Sequence, residues 1–336
     1  MTQDSTADWQ ARPRVSLRLV AQAAGVSIAT ASRVLNDGPD KASAETVLRV
    51  REAAERLGYR PGGAAQALRR RESRIVAVLA AALINPVMAT IVASIGHALR
   101  AEGLVMALCD THEDAAIQDD FLTEMQAQNA RAFVLVGAVD SPGLTRLRAA
   151  GAPLIFVNRP DPGPAPGGAY VGIDNAAAGE ALARHVLALG TQRAILLHGS
   201  LERTAGTERA RGIRAAFAAV PDAELIAVEA PGLDQLTGGL QAMAQVLSLR
   251  DPPRAVLCLS DALAYGAWRG AREAGRQEGF DLYGFDNLLF NDWVAPWLSS
   301  VAVDPAAFGP AVLAQLPAPR AGSRCFLPHR LHLRPG

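Results

Sequence analysis

From residue 74 onward one texture repeats: a short, unbroken apolar run, then a longer segment whose apolar residues recur three and four apart. The runs are RIVAVLAA (74–81), LVMALCD (104–110), AFVLVGA (132–138), PLIFVN (153–158), AILLHG (194–199), ELIAVEA (224–230), AVLCLS (255–260) and DLYGFD (281–286). A strand without polar alternation cannot offer either face to water, so these runs predict parallel sheet buried on both sides. Segments such as AAAGEALARHVLALG (176–190) and TERARGIRAAFAAV (207–220) supply the crossover helices that parallel strands require. The number of runs suits two similar α/β lobes, with a break near VGIDN (171–175), after the Pro/Gly-rich PDPGPAPGG. The tail SRCFLPHRLHLRP reads as a closing strand pair.

Residues 14–60 carry helical periodicity and no strand signal. In VSLRLVAQAAGVSIATASRVLN (15–36), Leu17, Val20, Ala21 and Ala24 recur at helical spacing. Gly25 permits a sharp turn, and Val26 can plug the gap between two helices. Ser27 is a good N-cap for a second helix over 28–36, whose inward face is Ala31, Val34 and Leu35. Ser43 caps a third helix that runs to Gly58 and is closed by Tyr59 and Pro61. Helix, tight glycine turn and capped helix make a helix-turn-helix arrangement. By itself the pattern fits either an ordinary three-helix subdomain or a DNA-binding one. Charge favours the second. Arg14 to Arg71 holds eleven basic and five acidic residues, a net +6 in a chain whose net charge is zero. The polar residues 1–13 are expected to be disordered, and PGGAAQALRRRES (61–73) reads as a linker or a marginal helix.

The remaining signals exclude. Cys109, Cys258 and Cys325 lie far apart with no CxxC or Cys/His cluster, which argues against a disulfide framework or a zinc site. MTQDSTADWQARPR is polar and acidic, unlike a secretion signal, and no apolar window is long enough to span a bilayer. GxSxG, Walker A, HExxH and GxGxxG fingerprints are missing, and no nucleophile–base pair is suggested by spacing. A soluble, cytoplasmic protein that is not an enzyme is expected.

The N-terminal motifs resemble the LacI/GalR family of bacterial transcription repressors. The matching stretches are VSLRLVAQAAGVSIATASRVLN, SAETVLRVREAAERLGYRP, and AAQALRRRES leading into RIVAVLAA. ED at 113–114, VGIDNAAAGEALARHVLALG, SLERTAGTERARGI, SDALAYGA and YGFDN then follow in family order, so the resemblance covers nearly the whole chain. It implies an N-terminal three-helix helix-turn-helix DNA-binding domain (14–60) and a hinge helix or linker (61–73). A two-lobed α/β periplasmic-binding-protein-like effector and dimerisation domain (74–336) follows, with parallel sheets covered by helices. Lobe 1 spans about 74–172 plus 304–320, and lobe 2 about 173–303 plus 321–336. The function implied is a sequence-specific regulator, by family habit a repressor, that binds a near-palindromic double-stranded DNA operator as a homodimer. A dimer of dimers is left open. A small effector in the cleft controls it, with a carbohydrate the first expectation and a purine or other polar metabolite the alternative. No cofactor, metal or membrane partner is implied. A stand-alone solute-binding protein shares the two-lobed fold, but the fused helix-turn-helix argues against it.

Positions carry over one at a time. The implied DNA contacts are Ser27, Ile28, Ala29, Thr30, Ser32, Arg33 and Asn36, then Tyr59, and in the hinge Ala65, Leu68 and Arg69. Leu68 stands where the family inserts a leucine between base pairs. The implied effector contacts are Asn85, Arg159, Arg203, Arg209, Ser260, Asp261 and Asp286. For some of these a structural role competes. Asp261 reads more readily as a helix cap, Asp174 as a cap or a lobe-crossing residue, Arg159 equally as a pocket wall or an interlobe salt-bridge partner, and His198 is a weak addition. The chain also departs from the pattern. Ile28 and Ala29 occupy positions that are commonly polar or aromatic, and they can contact a thymine methyl but cannot hydrogen-bond a base. Gly62–Gly63 replaces hinge residues that favour helix, which predicts a hinge more disordered off DNA than is typical. Near LDQLTGG no aromatic platform is found, and Asp234 aligns loosely with that place. Trp293 and Trp297 could supply a ring or belong to a lobe interface.

Overall fold

The computed structural model describes residues 15–36, 42–59, 73–165, 167–201, 205–232 and 234–334. The expected N-terminal extension (1–13), the hinge positions Ala65, Leu68 and Arg69, and Arg203 lie outside the described residues. The chain divides into two compact units, Met1–Ser73 and Arg74–Gly336.

The first unit contains α1 (Leu17–Ala23), α2 (Ile28–Asn36) and α3 (Ala44–Leu57). Local chemistry sets each boundary. The Ser16 side chain accepts from Leu19 N at the start of α1. Gly25 turns the chain at φ +64°. Ser27 Oγ accepts from Thr30 N at 3.1 Å to open α2, and Ser43 Oγ accepts from Thr46 N at 3.3 Å to open α3. Gly58, at φ +67°, closes α3 in the left-handed conformation. The core is Val20, Ala21, Ala24, Ala31, Val34, Val47, Val50, Ala53 and Ala54. Five of these nine are alanine, so short helices can meet with their backbones close.

The strands of the second unit are β1 (Ile75–Ala80), β2 (Val105–Asp110), β3 (Ala132–Val136), β4 (Leu154–Val157), β5 (Ala169–Ile173), β6 (Arg193–His198), β7 (Glu224–Glu229), β8 (Ala255–Cys258), β9 (Asp281–Asp286), β10 (Ser299–Val303), β11 (Arg324–Leu327) and β12 (His329–His332). They form two sheets, ordered β11-β5-β4-β3-β1-β2 and β12-β10-β9-β8-β6-β7. Every pairing in the first sheet is parallel, and in the second β12 runs antiparallel to β10 at the edge. Helices cover both: α4 (Pro86–Ala101), α5 (Ala115–Ala127) and α6 (Pro142–Ala149) on the first, and α7 (Asn175–Ala188), α8 (Ala205–Ala218), α9 (Gln235–Ser248), α10 (Asp261–Glu273) and the short α11 (Asn291–Val294) on the second. α12 (Phe308–Gln315) returns to pack on α4, where Gly309 N donates to Ser94 Oγ at 3.0 Å. The central strands β3, β4 and β8 are buried along their whole length, as the unbroken apolar runs require, whereas the edge strands β2 and β7 are partly exposed.

Two strands are weaker in the sequence than in the structure. β5 (AYVGI) contains glycine and follows the Pro/Gly-rich loop, and β10 (SSVAV) opens on two serines. Both sit just before the chain crosses between lobes. The tail also differs from expectation. Its two strands do not pair with each other: β11 joins β5 in the first lobe and β12 joins β10 in the second. The stretch 324–327 therefore belongs to lobe 1, and the lobes exchange chain a third time at Pro328. The reason is edge satisfaction, since β5 and β10 each have a free edge that a short strand covers.

Helix pairs on the second sheet meet at backbone distance. A Cβ on Gly179 of α7 would stand 2.2 Å from Arg209 O, and one on Gly212 of α8 would stand 1.9 Å from Ala176 O. Between α9 and α10, Gly239 and Gly266 are as tight, at 2.3 Å from Leu263 O and 2.1 Å from Leu236 O. The obstructing atoms are backbone, so they cannot swing aside. Gly212→Ala is therefore expected to destabilise the second unit by about 2 kcal/mol or more and to lower its melting temperature by several degrees. Gly279→Ala, which meets nothing within 4 Å, should leave the melting temperature unchanged; equal melting curves for the two variants would show that the helices separate freely.

Candidate effector cleft and DNA-contacting face

Between the two sheets of the second unit lies a cavity of ≈ 80 Å³. Its polar lining is Arg209, Asp286, Asn158, Asn287 and Thr90, and its apolar lining includes Ile91, Ile173, Leu288, Phe290, Val303 and Phe308. Both lobes contribute, as expected for ligand sites at the carboxyl ends of parallel strands.

Arg209 is the centre of the polar wall. It projects from α8, is 7% exposed, and would be costly to bury without acceptors. It has three. Its Nε donates to Asn175 Oδ1 at 2.9 Å, Nη1 to Leu259 O at 2.8 Å, and Nη2 to Asp286 Oδ1 at 3.3 Å. The guanidinium also stacks 4.6 Å from the centroid of the Phe285 ring. Asp286 ends β9 with φ at +107°, a left-handed backbone, and lines the cavity. Burial pushes its pKa up to about 7, against the opposing pull of Arg209 and with a further push from Asp261. Next to it, Asn287 Oδ1 is buried with no hydrogen-bond partner, an acceptor awaiting a donor.

The other expected contacts separate from this cluster. Asp261 is fully buried, and it is neither the α10 cap nor a cavity residue. Its carboxylate accepts from Leu288 N (3.0 Å), Asn291 Nδ2 (2.8 Å) and Ser300 Oγ (2.7 Å), so it fixes the loop after β9 from behind. Burial raises its pKa in spite of these bonds. Ser260 is the cap: it accepts from Leu263 N at 3.2 Å and donates to Gln235 Oε1 at 2.7 Å. Asn85 caps α4, accepting from Val87 N at 3.0 Å, while its neighbours Pro86 and Val87 line the cavity. Arg159 is neither pocket wall nor interlobe bridge. Its Nη1 donates to Glu113 Oε1 at 2.8 Å, within the first lobe. Asp174 caps α7, and His198 is buried with Nδ1 2.8 Å from Gly199 O. Trp297 stacks on Trp268 at 5.0 Å, away from the cavity, and Trp293 is 85% exposed. The rings that do line the cavity, Phe290 and Phe308, have no motif to mark them in the sequence. Asn158, Asn175 and Asn287 end the stretches PLIFVN, VGIDN and YGFDN, but nothing in those stretches singles the asparagines out.

On the first unit, Ile28 is 49% exposed, Ser27, Ala29 and Arg33 are exposed, and Thr30 is half-buried. The hydroxyls of Ser27 and Thr30 lie 2.9 Å apart. Ser32 does not share this face. At 7% exposed, beside Ala31 and one position from the outward Arg33, it is held on the inner flank of α2, which removes it from the expected phosphate contacts. Tyr59 is half-buried against the three-helix core. Asn36 is the last helical residue of α2.

Comparison with known proteins agrees with both units. Residues 16–62 match the family of bacterial regulatory proteins called the lacI family, and residues 76–291 match the periplasmic binding protein domain. The chain is 31% identical over 319 residues to the HTH-type transcriptional regulator GntR of Pseudomonas aeruginosa, covering 92% of this chain and 90% of that protein. It is 30% identical over 301 residues to the regulator CelR of Thermobifida fusca, covering 86% and 87%. Among solved structures, a lac repressor dimer bound to operator and an anti-inducer superposes with a TM-score of 0.79 at 23% identity, covering 96% of this chain and 98% of that one. A complex of the regulator CelR with cellobiose superposes at 0.66 with 25% identity, covering 96% and 99%. The chain joins a helix-turn-helix unit to a two-lobed, periplasmic-binding-protein-like one. It belongs to the lacI family and is a DNA-binding transcriptional regulator, not an enzyme. Among the described residues no helix is long and apolar enough to cross a membrane, and no cluster of metal-binding side chains occurs.

The charge on Asp286 yields a test of the cleft. Its carboxyl titrates at about 7 in the folded chain, against an ordinary value of 3.8. Between these values the folded state keeps a proton that the unfolded state has lost, so stability falls as pH rises from about 4 to about 7. Asp286→Asn removes this contribution. In thermal unfolding without effector, the variant's melting temperature relative to the parent should climb across that window and level off above it. A difference that stays flat from pH 4 to 7 would mean that Asp286 is already ionised in acid.

Proposed function

We propose that this regulator is a repressor that binds a near-palindromic operator as a homodimer in the cytoplasm, and that a small molecule held between its lobes switches it. The observation that carries the effector reading is the cavity itself. A buried Arg209–Asp286 pair and the unpartnered Asn287 acceptor face walls drawn from both lobes. A ligand touching both walls favours one relation of the lobes over another, which is the requirement for a population shift. The resemblance supplies the hinge (61–73, with Leu68 entering the minor groove) and the DNA contacts Ser27, Ile28, Ala29, Thr30 and Arg33.

For the effector, a carbohydrate is the first reading. Adjacent hydroxyls can donate to Asp286 and Asn287 and accept from Arg209, and Phe290 or Phe308 offers an apolar face to a sugar ring. The cellobiose complex of CelR gives this reading a precedent within the family. A purine is the second reading, and the same two rings favour it as stacking partners. The expected result is that some carbohydrate in a screened panel raises the parent's melting temperature, while Arg209→Ala loses that rise and still shifts the same operator fragment in a gel. No sequence-dependent shift with the parent would sink the regulator reading. An undiminished response in Arg209→Ala would remove Arg209 from the site.

Self-association has its own support. Trp293 (85% exposed), Leu289 (72%) and Val294 (61%) form an exposed apolar patch on and just before the short α11, and a groove lined by Tyr265, Trp268, Val294 and Trp297 adjoins it. Exposed aromatic surface of this kind marks a protein–protein contact. Val294→Glu, which places a charge in the patch and leaves the core untouched, is expected to turn a dimer into a monomer in sedimentation at micromolar concentration. An unchanged sedimentation coefficient would move the dimer contact elsewhere.

A further inference from the structure

The second helix of a helix-turn-helix enters the major groove with its N-terminal residues at the base edges. In this chain those residues are Ile28 and Ala29, the first two positions of α2 and both exposed. Neither side chain carries a hydrogen-bonding atom. The hydroxyls flanking them are tied to the helix end: Ser27 Oγ accepts from Thr30 N at 3.1 Å and lies 2.9 Å from Thr30 Oγ1. They can reach a phosphate beside the helix terminus, but they are not extended toward a base. Ser32 is buried. Among the described side chains of α2, a hydrogen bond to a base edge falls to Arg33, whose Nε leans weakly on Ala29 O at 3.4 Å.

An apolar leading edge can still discriminate bases, because thymine alone of the four presents a methyl group in the major groove. Resting on the regulator reading above, we infer that the operator half-site places thymines opposite Ile28 and Ala29, recognised through their 5-methyl groups, with a guanine about two base pairs away opposite Arg33. The spacing follows from the helix. Arg33 lies one turn beyond Ala29 on the same face, about 6 Å along the axis, against about 3.4 Å between successive base pairs. Arginine suits guanine because its fork matches the two acceptors of that base. Ile28 supplies more apolar surface than Ala29, so its thymine is the more strongly required.

Deoxyuridine provides the test, since it keeps every hydrogen-bonding atom of thymine and lacks the methyl. The full-length protein is used to select binding sites from a random duplex library, and each enriched thymine is then replaced singly by deoxyuridine. At least one position per half-site should weaken by about fourfold, the loss expected for removing one buried methyl. In Ile28→Ala, whose substitution is at an exposed site and leaves a smaller apolar surface, the difference between thymine and deoxyuridine at that position should shrink. Arg33→Lys should relax the preference for guanine two base pairs away. If a sequence is enriched but every deoxyuridine duplex binds as tightly as its thymine parent, methyl reading is wrong and the regulator reading stands. If no sequence is enriched, both fall.

Discussion

A guanidinium placed where water cannot reach it must be met by acceptors already in position, because the cost of leaving it unpaired exceeds the cost of almost any other local arrangement. Arg209 imposes that demand on the second lobe. Its acceptors come from three places in the sequence: Asn175 at the start of α7, the Leu259 carbonyl after β8, and Asp286 at the end of β9. Strand ends that would otherwise be independent loops are therefore held in one register around a single cation. Its place in α8 depends in turn on Gly179 and Gly212, which let α7 and α8 approach until Asn175 reaches the guanidinium. A side chain at either glycine would push Arg209 away from the acceptors that make its burial tolerable.

A second buried charge holds the opposite side of the same wall. Asp261 takes hydrogen bonds from Leu288 N, Asn291 and Ser300, so the loop that carries Asp286, Asn287 and Phe290 into the cavity is pinned from behind. Tyr265 donates to Asn291 in the same network, and Tyr265 also lines the groove beside the exposed apolar patch. Cavity wall and patch are thus two faces of one loop. Arg209 is the cation between the two carboxylates, and it lowers the pKa of each against the burial that raises them. Rigidity on this side leaves adjustment to the first lobe, whose contribution to the cavity is the start of α4, Asn158 after β4, Ile173 of β5, and Pro305 and Phe308 beyond the crossover.

What the sequence discloses follows from how local each signal is. Runs such as AFVLVGA and AVLCLS announce buried parallel strands because burial on both faces demands unbroken apolar residues. The caps Ser27, Ser43 and Asp174 are legible because each sits next to the amides it satisfies. β5 and β10 are weak because their order comes from neighbouring strands more than from their own composition. The tail misleads for the same reason: two short strands adjacent in sequence are completed by edges far away. In the cleft, Arg209 and Asp286 are readable through the motifs TERARG and YGFDN. Arg159, Ser260 and Asp261 carry the same chemistry, yet spacing does not show which partner each will find, and each finds a structural one. Phe290 and Phe308 stay hidden because any apolar residue of the core looks like them until the lobes are assembled.

Asp286 also bears on how a ligand is held. A carboxyl that titrates at about 7 is present in both forms at neutral pH, so it can accept a hydrogen bond or donate one. A ligand hydroxyl donating to it favours the ionised form and releases a proton from the folded chain. A ligand that brings its own negative charge to Arg209 competes with Asp286 for the cation and favours the protonated form. The two classes therefore bind with opposite dependence on pH: the neutral polyol tighter as pH rises through 7, the anion tighter as it falls. Asn287, acceptor only at its unpartnered Oδ1, adds a demand for a donor in either case. A neutral polyol meets all three groups at once, whereas an anion must also carry a hydroxyl, and this asymmetry is the physical ground for placing carbohydrates first.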